Sequence, residues 1–335
     1  MSTHTMAETT KPSQVKRKTN VWPQRIWAIV QRHYVYVILI FFWIISSIAS
    51  PYFRMVPTYS NILTSAVPIA LIGLAQTVVV ISRGFDLSVG AVASMATAVA
   101  SVAMIKGIIP SIILILIIAA VIGAINGLGI TKLGINPFIM TLCMMFFLTG
   151  VNMLIRPSPG GYIPDSFKEF LLYQIGDFPL TAFLILVCAA IVGSMLLQRR
   201  RLGREIYAVG GAPERARMSG INVDQTLVKT YIISAIASAL GGLFIAARIG
   251  SGNAEAGAPY LFDSFTTVFM GGTLVTGGVG GYGGTLGAAL IISSLGRILQ
   301  FLGINIWNQF IAKGALLASV AGLQIYFARK GRQPE

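Results

Sequence analysis

Long apolar runs separated by short polar stretches recur along almost the whole chain. A bilayer is crossed by a helix of about 20 predominantly apolar residues, and roughly 17–25 are tolerated. On this rule the pattern predicts ten transmembrane helices, near residues 34–50, 62–82, 87–105, 109–128, 137–155, 180–197, 228–248, 264–280, 284–303 and 309–327. We therefore expect an all-α integral membrane protein with one transmembrane domain over residues 34–327.

The eighth predicted helix differs from the others because glycine dominates its second half. The apolar stretch from Ser264 to Met270 runs into eight glycines between Gly271 and Gly284. Irregular backbone at membrane depth is stable only where protein or a water-filled cavity satisfies its polar groups. A continuous, a broken and a re-entrant segment are all compatible with this pattern.

Composition supports a membrane location. Hydrophobic residues make up 55% of the 335 positions and charged residues only 11%, whereas soluble domains carry about 25% charged residues. Lipid must therefore cover much of the apolar surface. The two cysteines, Cys143 and Cys188, both lie in apolar runs, which excludes a disulfide framework.

The formal net charge of +14, from 25 basic and 11 acidic residues, predicts the orientation. Such an excess would suggest nucleic acid as the partner of a soluble protein, but in a membrane protein Lys and Arg mark the cytoplasmic loops. With a cytoplasmic N-terminus, 18 of the 25 lie inside, five lie outside, and Arg297 and Lys313 fall within predicted helices. We expect cytoplasmic tails at residues 1–33 and 328–335, and no nucleic-acid partner.

Two connecting segments are long, residues 156–179 on the outside and residues 198–227 on the inside. In the inner loop, Pro213 suits the first turn of a helix, Glu214 complements the helix dipole and Gly220 suits the helix end. We predict a cytosolic helix of about two turns there. On charge alone, a loop that merely anchors the chain at the cytoplasmic side is the better interpretation.

The sequence carries no recognisable catalytic motif. No glycine is followed by lysine, so the chain lacks a phosphate-binding loop and we do not expect it to bind ATP. The histidines, His4 and His33, lie in the basic tail and at the first membrane boundary, and offer no basis for a metal site. Charges within predicted helices are few, and Asp263, at an outer edge, comes nearest to an ion-coupling residue. We expect neither an enzyme site nor a cofactor in this chain.

Polar residues also stand at the ends of several predicted helices. In the segment 82–90, Asp86 and Ser88 can cap a helix start and Gly84 allows a tight turn, which suits either a capped membrane-edge helix or a gating element. Asn126 and Thr141 lie in apolar runs, where such residues mostly join helices and less often line a pathway.

Two further segments have backbone requirements of their own. The dipeptide Asn136–Pro137 opens the fifth predicted helix, where the missing proline donor does no harm. In residues 270–287, which include Thr273, the glycines allow close helix approach or an unwound turn. A phosphate loop does not fit there, because no lysine lies nearby.

Four segments of the chain resemble the ribose/xylose-type sugar permease subunits of bacterial ABC importers. They follow one another in the same order as in that family. The inner-loop segment shares Gly-Arg, Tyr-Ala-Val-Gly-Gly and Ser-Gly-Ile with that family, but Ala212 and Arg215 replace its Asn and its first Ala. Without the Asn, we expect the helix start to lack a side-chain cap. The segments are 82–90, 126–142, 203–221 and 270–287, and further departures from the family are Arg83, Phe85, Asn136 and Val279.

The resemblance implies an ABC permease fold of the vitamin B12 importer type, and an inner-loop helix that docks on the ATP-hydrolysing subunit. The residues expected to couple to that ATPase are Gly211, Ala212, Pro213, Glu214, Arg215, Ala216, Arg217, Met218, Ser219 and Gly220. Those to which we assign pathway or gating roles are Phe85, Asp86, Ser88, Asn126, Asn136, Thr141 and Thr273.

By resemblance, the chain conducts a monosaccharide or related polyol across the bacterial inner membrane. The implied partners are a periplasmic sugar-binding protein, an ABC ATPase that holds ATP and Mg, and a second permease chain, most simply an identical one. The nearest alternative is a branched-chain amino-acid permease. The motifs Asp-Leu-Ser-Val-Gly and Ser-Gly-Ile favour the sugar permeases over it. An ion-driven secondary transporter and a membrane enzyme are the rivals from other classes.

Cysteines introduced at Ser158 and at Ser219 test the orientation separately. An impermeant thiol reagent applied to intact cells should label the Ser158→Cys chain, because residues 156–179 are expected outside. The Ser219→Cys chain should be labelled only after lysis, and the parent chain serves as background control. Labelling of the Ser219→Cys chain alone in intact cells would overturn the orientation.

Overall fold

A computed structural model describes residues 21–330, with the side chains of residues 34–326. The chain divides into two units, Met1–Tyr34 and Val35–Glu335. Thirteen α-helices follow one another in the described part. They are α1 (Val21–Ala49), α2 (Val56–Ile81), α3 (Val89–Ala103), α4 (Ile108–Lys132), α5 (Pro137–Ile155), α6 (Asp165–Leu171), α7 (Leu180–Ser194), α8 (Arg201–Gly211), α9 (Pro213–Met218), α10 (Val223–Ile249), α11 (Ala258–Met270), α12 (Tyr282–Phe301) and α13 (Ile306–Lys330).

Seven helices of the described part are long and apolar enough to cross a membrane. They are α2, α3 with its extension to Lys106, α4, α5, α7 with its extension to Arg199, α10 and α12. Each corresponds to one of the ten predicted spans, so the prediction of an all-α, multi-pass membrane protein is confirmed. The remaining predicted spans, 34–50, 264–280 and 309–327, are not among the seven. The apolar part of α1 and the 13-residue helix α11 are too short. The helix α13 is long enough, with 25 residues, but is not one of the seven apolar helices.

The predicted helix over residues 264–280 was wrong in its bounds. The helix found here, α11, begins at Ala258 and ends at Met270, and residues 271–281 form turns. Gly272, Gly277 and Gly278 take positive φ values of 88°, 78° and 75°, which glycine adopts at little cost and which a helix does not contain. A continuous helix over residues 264–280 is therefore excluded.

The helices differ strongly in how much of their surface lies inside the protein. In α2, 89% of the apolar window is buried, whereas the corresponding share in α4, α5 and α7 is only 22–28%. The exposed sides of these three helices are apolar, which suits contact with lipid chains. The long helices α2 and α10 therefore form the centre, together with α3, and α4, α5 and α7 lie at the periphery.

Glycine lets the central helix α10 approach its neighbours closely. A methyl group at Gly123 of α4 would lie 2.5 Å from the Tyr231 carbonyl oxygen, and one at Gly127 would lie 2.6 Å from the Val228 Cα atom. In lipid, helices associate through such close van der Waals packing rather than through the hydrophobic effect. The two helices can thus lie this close because glycine has no side chain to hold them apart.

Candidate functional site

The inner loop contains two helices where the sequence predicted one. The predicted helix is α9, which starts at Pro213 as expected and ends before Gly220, where φ is +81° and the Ile221 N–H donates to the Ala216 carbonyl at 3.1 Å. Its start at Ala212 has no side-chain cap, as expected from the missing Asn. The helix before it, α8, was missed because it is short and amphipathic, and its glycines resemble helix breakers.

The two faces of α9 differ in exposure. Ala216 is buried against Val209 of α8 and Val223 of α10. Met218, by contrast, is 88% exposed, which is unusual for a large apolar side chain. The other exposed residues of the predicted coupling set are Gly211, Glu214, Arg215, Arg217, Ser219 and Gly220, whereas Ala212 and Pro213 are half-buried. Ala216 therefore holds α9 onto its own chain, and the face around Met218 is open.

The helix α8 packs directly on the membrane part of the chain. A methyl group at Gly210 would collide with the Ile81 carbonyl oxygen at the end of α2. The same oxygen accepts a hydrogen bond from the Gly278 N–H at 2.9 Å. The Tyr207 hydroxyl donates to the Gly280 carbonyl at 2.7 Å, and burial raises the pKa of this hydroxyl above its ordinary value, which favours the protonated form further. The helix α8 thus contacts both α2 and residues 271–281, which we call the glycine loop.

The glycine loop continues α11 without interruption and also contacts the turn between α2 and α3. Thr273 is fully buried in it, and a methyl group at Gly277 would lie 2.8 Å from the Arg83 side chain. Together, α8 and the glycine loop therefore contact the end of α2, the turn that follows it, and α11.

A buried polar cluster holds the turn between α2 and α3. The Asp86 carboxylate is 1% exposed and accepts hydrogen bonds from the Ser88 N–H at 2.9 Å and from the Ser234 hydroxyl of α10 at 2.7 Å. The Asn126 amide of α4 donates to the Ser88 hydroxyl at 3.1 Å. Three predicted residues from two distant segments are thus brought together, and they join the turn to α4 and α10.

Thr141 and Phe85 belong to the same region, but Asn136 does not. The Leu87 N–H donates to the Thr141 hydroxyl at 3.1 Å, which ties α5 to the turn. The rings of Phe85 and Phe265 lie 6.0 Å apart, which brings the turn against α11. Asn136 is exposed, and its side chain accepts from the Phe138 N–H at 2.9 Å. It caps α5 and takes no part in the cluster.

One local expectation about the turn was wrong. Ser88 does not cap α3, because its hydroxyl donates to Asp86 instead of accepting from the helix backbone. The left-handed residue of the turn is Arg83, with φ +71°. Gly84 is required for space, since a methyl group there would lie 2.6 Å from the Tyr231 hydroxyl oxygen.

Sequence reasoning also missed an ion pair inside the helical part. The Lys313 ammonium of α13 lies 2.8 Å from the Asp263 carboxylate of α11, and the two side chains are 19% and 6% exposed. A charge placed within an apolar helix usually has a partner in the protein. That rule could have paired these two residues, which the sequence showed only as isolated charges.

Known proteins resemble the chain over most of its length. The family described as branched-chain amino acid transport system / permease component matches residues 58–321. The chain is 33% identical over 319 residues to the galactose/methyl galactoside import permease protein MglC of Escherichia coli K12, covering 88% of this chain and 95% of that protein. It is 33% identical over 304 residues to the ribose import permease protein RbsC of the same strain, covering 88% and 92%.

A ribose import permease protein RbsC from Bacillus subtilis 168 is also 33% identical, over 279 residues that cover 82% of this chain and 86% of that protein. No solved structure matches the chain. The four segments that carried the resemblance all lie within the matched residues 58–321. The family resemblance inferred from them is confirmed.

Replacing Asp86 by alanine should destabilise the folded chain, because the Ser88 N–H and the Ser234 hydroxyl would lose their buried acceptor. Each unpaired buried donor costs about 1–3 kcal/mol, so we expect the melting temperature of the detergent-solubilised chain to fall by several degrees. The control is Asp177→Ala, which removes an exposed carboxylate. Equal melting temperatures for the two variants would show that the cluster does not hold the turn.

Proposed function

The chain belongs to the branched-chain amino acid transport system / permease component family, and we propose that it is the sugar-conducting permease subunit of an ATP-driven ABC importer. The observation that carries this proposal is the seat of α8 on the end of α2 and on the glycine loop. A short cytosolic helix pair that contacts both is suited to pass on a movement imposed from the cytosol. In this proposal the chain is a conduit without an enzyme site or cofactor, and ATP and Mg are bound by the partner ATPase.

The relatives favour sugar over amino acid as the cargo. Their names assign galactose, methyl galactoside and ribose to proteins that this chain matches over most of its length. We therefore propose that the cargo is a monosaccharide or a related polyol, delivered by a periplasmic binding protein. A branched-chain amino-acid cargo would fit the family description but not these relatives.

The ATPase contact is assigned to the open face of α9. A side chain that is 88% exposed and apolar, as Met218 is, gains by entering a groove on a partner. Arg215 and Arg217 beside it are exposed as well and can select among partners by charge. Ala216 lies on the opposite side of the helix and holds α9 to α8 and α10.

Transmission follows from the contacts of α8. When the ATPases close on ATP, they displace α9 and with it α8. The contact of Gly210 with Ile81 passes this displacement to α2, and the bond from Tyr207 to Gly280 passes it to the glycine loop. Because the glycine loop runs directly into α11, the movement reaches the membrane part without an intervening flexible linker. Alternate outward and inward openings are its expected result.

The finer architecture is proposed on the same basis. Counting α1, α11 with the glycine loop, and α13 together with the seven apolar helices gives ten crossings, both termini in the cytoplasm, and a fold of the vitamin B12 importer type. The bias of 18 basic residues to five supports this orientation in a bacterial inner membrane. A pathway between two chains supports pairing with a second permease, which we propose is identical.

An ion-driven secondary transporter is the second candidate, and the pair of Asp263 and Lys313 favours it. Intramembrane ion pairs occur where protons or ions are carried. An exposed apolar side chain such as Met218 on a cytosolic helix has no role in the mechanism of such a transporter. Uptake that survives depletion of ATP but stops when the ion gradient collapses would support this candidate over the ABC importer.

Truncation of Met218 tests the docking contact. Removing a well-packed interface side chain costs about 2 kcal/mol, so Met218→Ala should weaken retention of the co-expressed ATPase subunit by more than about tenfold. Co-purification from detergent measures it. Met55→Ala is the matched control, because Met55 is an exposed methionine outside the coupling loop. Undiminished retention and uptake in Met218→Ala would show that α9 is only an anchor.

A methyl group at Gly210 tests transmission apart from docking. Gly210→Ala should push α8 away from the Ile81 carbonyl, so we expect the ATPase to remain bound while sugar uptake falls at least tenfold. Gly211→Ala is the control, because no atom lies within 4 Å of the added methyl group. If Gly210→Ala transports at the rate of Gly211→Ala, α8 does not transmit the movement through α2.

A further inference from the structure

A cavity of about 450 Å³ with both polar and apolar walls lies among the helices α2, α10, α11, α12 and α13. Small-molecule sites commonly measure about 300–1,000 Å³, so the cavity has room for one monosaccharide. Its polar and charged lining side chains come from these five helices and from the segment after α10. They include Arg248, Asn253, Tyr260, Asp263, Arg297 and Lys313.

The charges around this cavity do not balance. Asp263 is its acidic residue, and it is already paired with Lys313 at 2.8 Å. Arg248 and Arg297 also line the cavity, and neither lies within ion-pair distance of a carboxylate among the described side chains. Arg248 is exposed and Arg297 is half-buried, so the mouth of the cavity carries an excess of positive charge that attracts an anionic ligand.

The neighbours of the two arginines orient them without cancelling their charge. The Arg297 guanidinium donates to the Gln300 amide oxygen at 2.9 Å and lies 5.9 Å from the centre of the Phe301 ring. The Arg248 guanidinium donates to the Ser65 hydroxyl at 2.8 Å. Each guanidinium has five N–H donors in a planar fork, the geometry that pairs with a carboxylate. The positive charge is therefore both held in place and uncompensated.

We propose that this cavity binds the cargo and that the cargo is a monosaccharide acid, with one carboxylate besides its hydroxyl groups. The carboxylate pairs with the guanidinium of Arg297, and the hydroxyl groups suit the amides of Asn253 and Gln309 and the hydroxyl of Tyr260. A neutral sugar of the same size would leave the excess charge in place. The inference rests on the proposed function and narrows its substrate class.

The position of the cavity links it to the coupling helices. Asp263 lies in the first half of α11, and the same helix ends at Met270, where the glycine loop begins. At 1.5 Å per residue, about 10 Å of rigid helix separates the ion pair from the loop. A cargo bound in the cavity therefore touches the element that α8 moves.

Matched pairs of acid and neutral sugar test the proposal on the full-length permease in nanodiscs. The probes are D-galacturonate with D-galactose and D-glucuronate with D-glucose, titrated by calorimetry at low and at physiological salt. At least one acid should bind about tenfold more tightly than its neutral partner, and this difference should shrink as salt rises. Arg297→Gln should abolish it, and Arg297→Lys, which keeps the charge, should retain part of it.

Arg54→Gln is the control, because it removes an exposed arginine that does not line this cavity. Equal affinity for acid and neutral sugar, an acid preference that survives in Arg297→Gln, or binding of none of the four probes would overturn the proposal. ATP-dependent uptake of the same four sugars by the assembled importer separates this from the general function. ATP-dependent uptake of the neutral sugars alone would refute the acid as cargo but not the ABC importer. Uptake that does not depend on ATP would refute the ABC importer itself.

Discussion

Backbone groups buried inside a protein have no water to bond with, so wherever a helix stops in the interior the protein must supply the partners. The break after α11 shows how this chain does so. The Gly278 N–H is satisfied by the Ile81 carbonyl at the end of α2, and the Leu274 N–H by the Val279 carbonyl at 3.0 Å. The Thr273 carbonyl accepts from the Gln324 amide of α13 at 3.2 Å. The glycine loop is therefore stable only against α2 and α13, which is why it connects them.

The same constraint explains why glycine carries so much of the candidate site. A helix end exposes carbonyl groups, and another backbone can reach them only where no side chain intervenes. Gly210 fits against the Ile81 carbonyl for this reason, and a methyl group at Gly284 would collide with the Gly271 carbonyl. Contacts of backbone with backbone leave no room for compression, so a displacement that presses Gly210 onto Ile81 would be passed to α2, whereas sliding along such a contact is not blocked. Close packing and transmission thus have one physical origin.

The sequence predicted the seven apolar helices, the short helix at Pro213 and the break-prone glycine segment, because these follow from apolar length and from local backbone chemistry. It did not predict α8, whose Ile206 and Val209 become buried only through tertiary contact. It located Asp86, Ser88, Asn126 and Thr141 as single polar residues. That they form one cluster follows from the packing of α4, α5 and α10 around one turn, which no local pattern encodes.

Two polar interactions join α11 to α13 and determine which helices can move relative to each other. One is the ion pair of Asp263 with Lys313, and the other is the hydrogen bond from the Gln324 amide to the Phe269 carbonyl at 2.7 Å. Breaking either one in a low-dielectric setting would leave a buried polar group unpaired. The contact of α11 with α12 at Gly271 and Gly284 is one of packing, which can slide without such a loss. We therefore expect α11 and α13 to move as one body past α12 when α8 shifts, so that the ion pair stays closed while the cavity beside it changes shape.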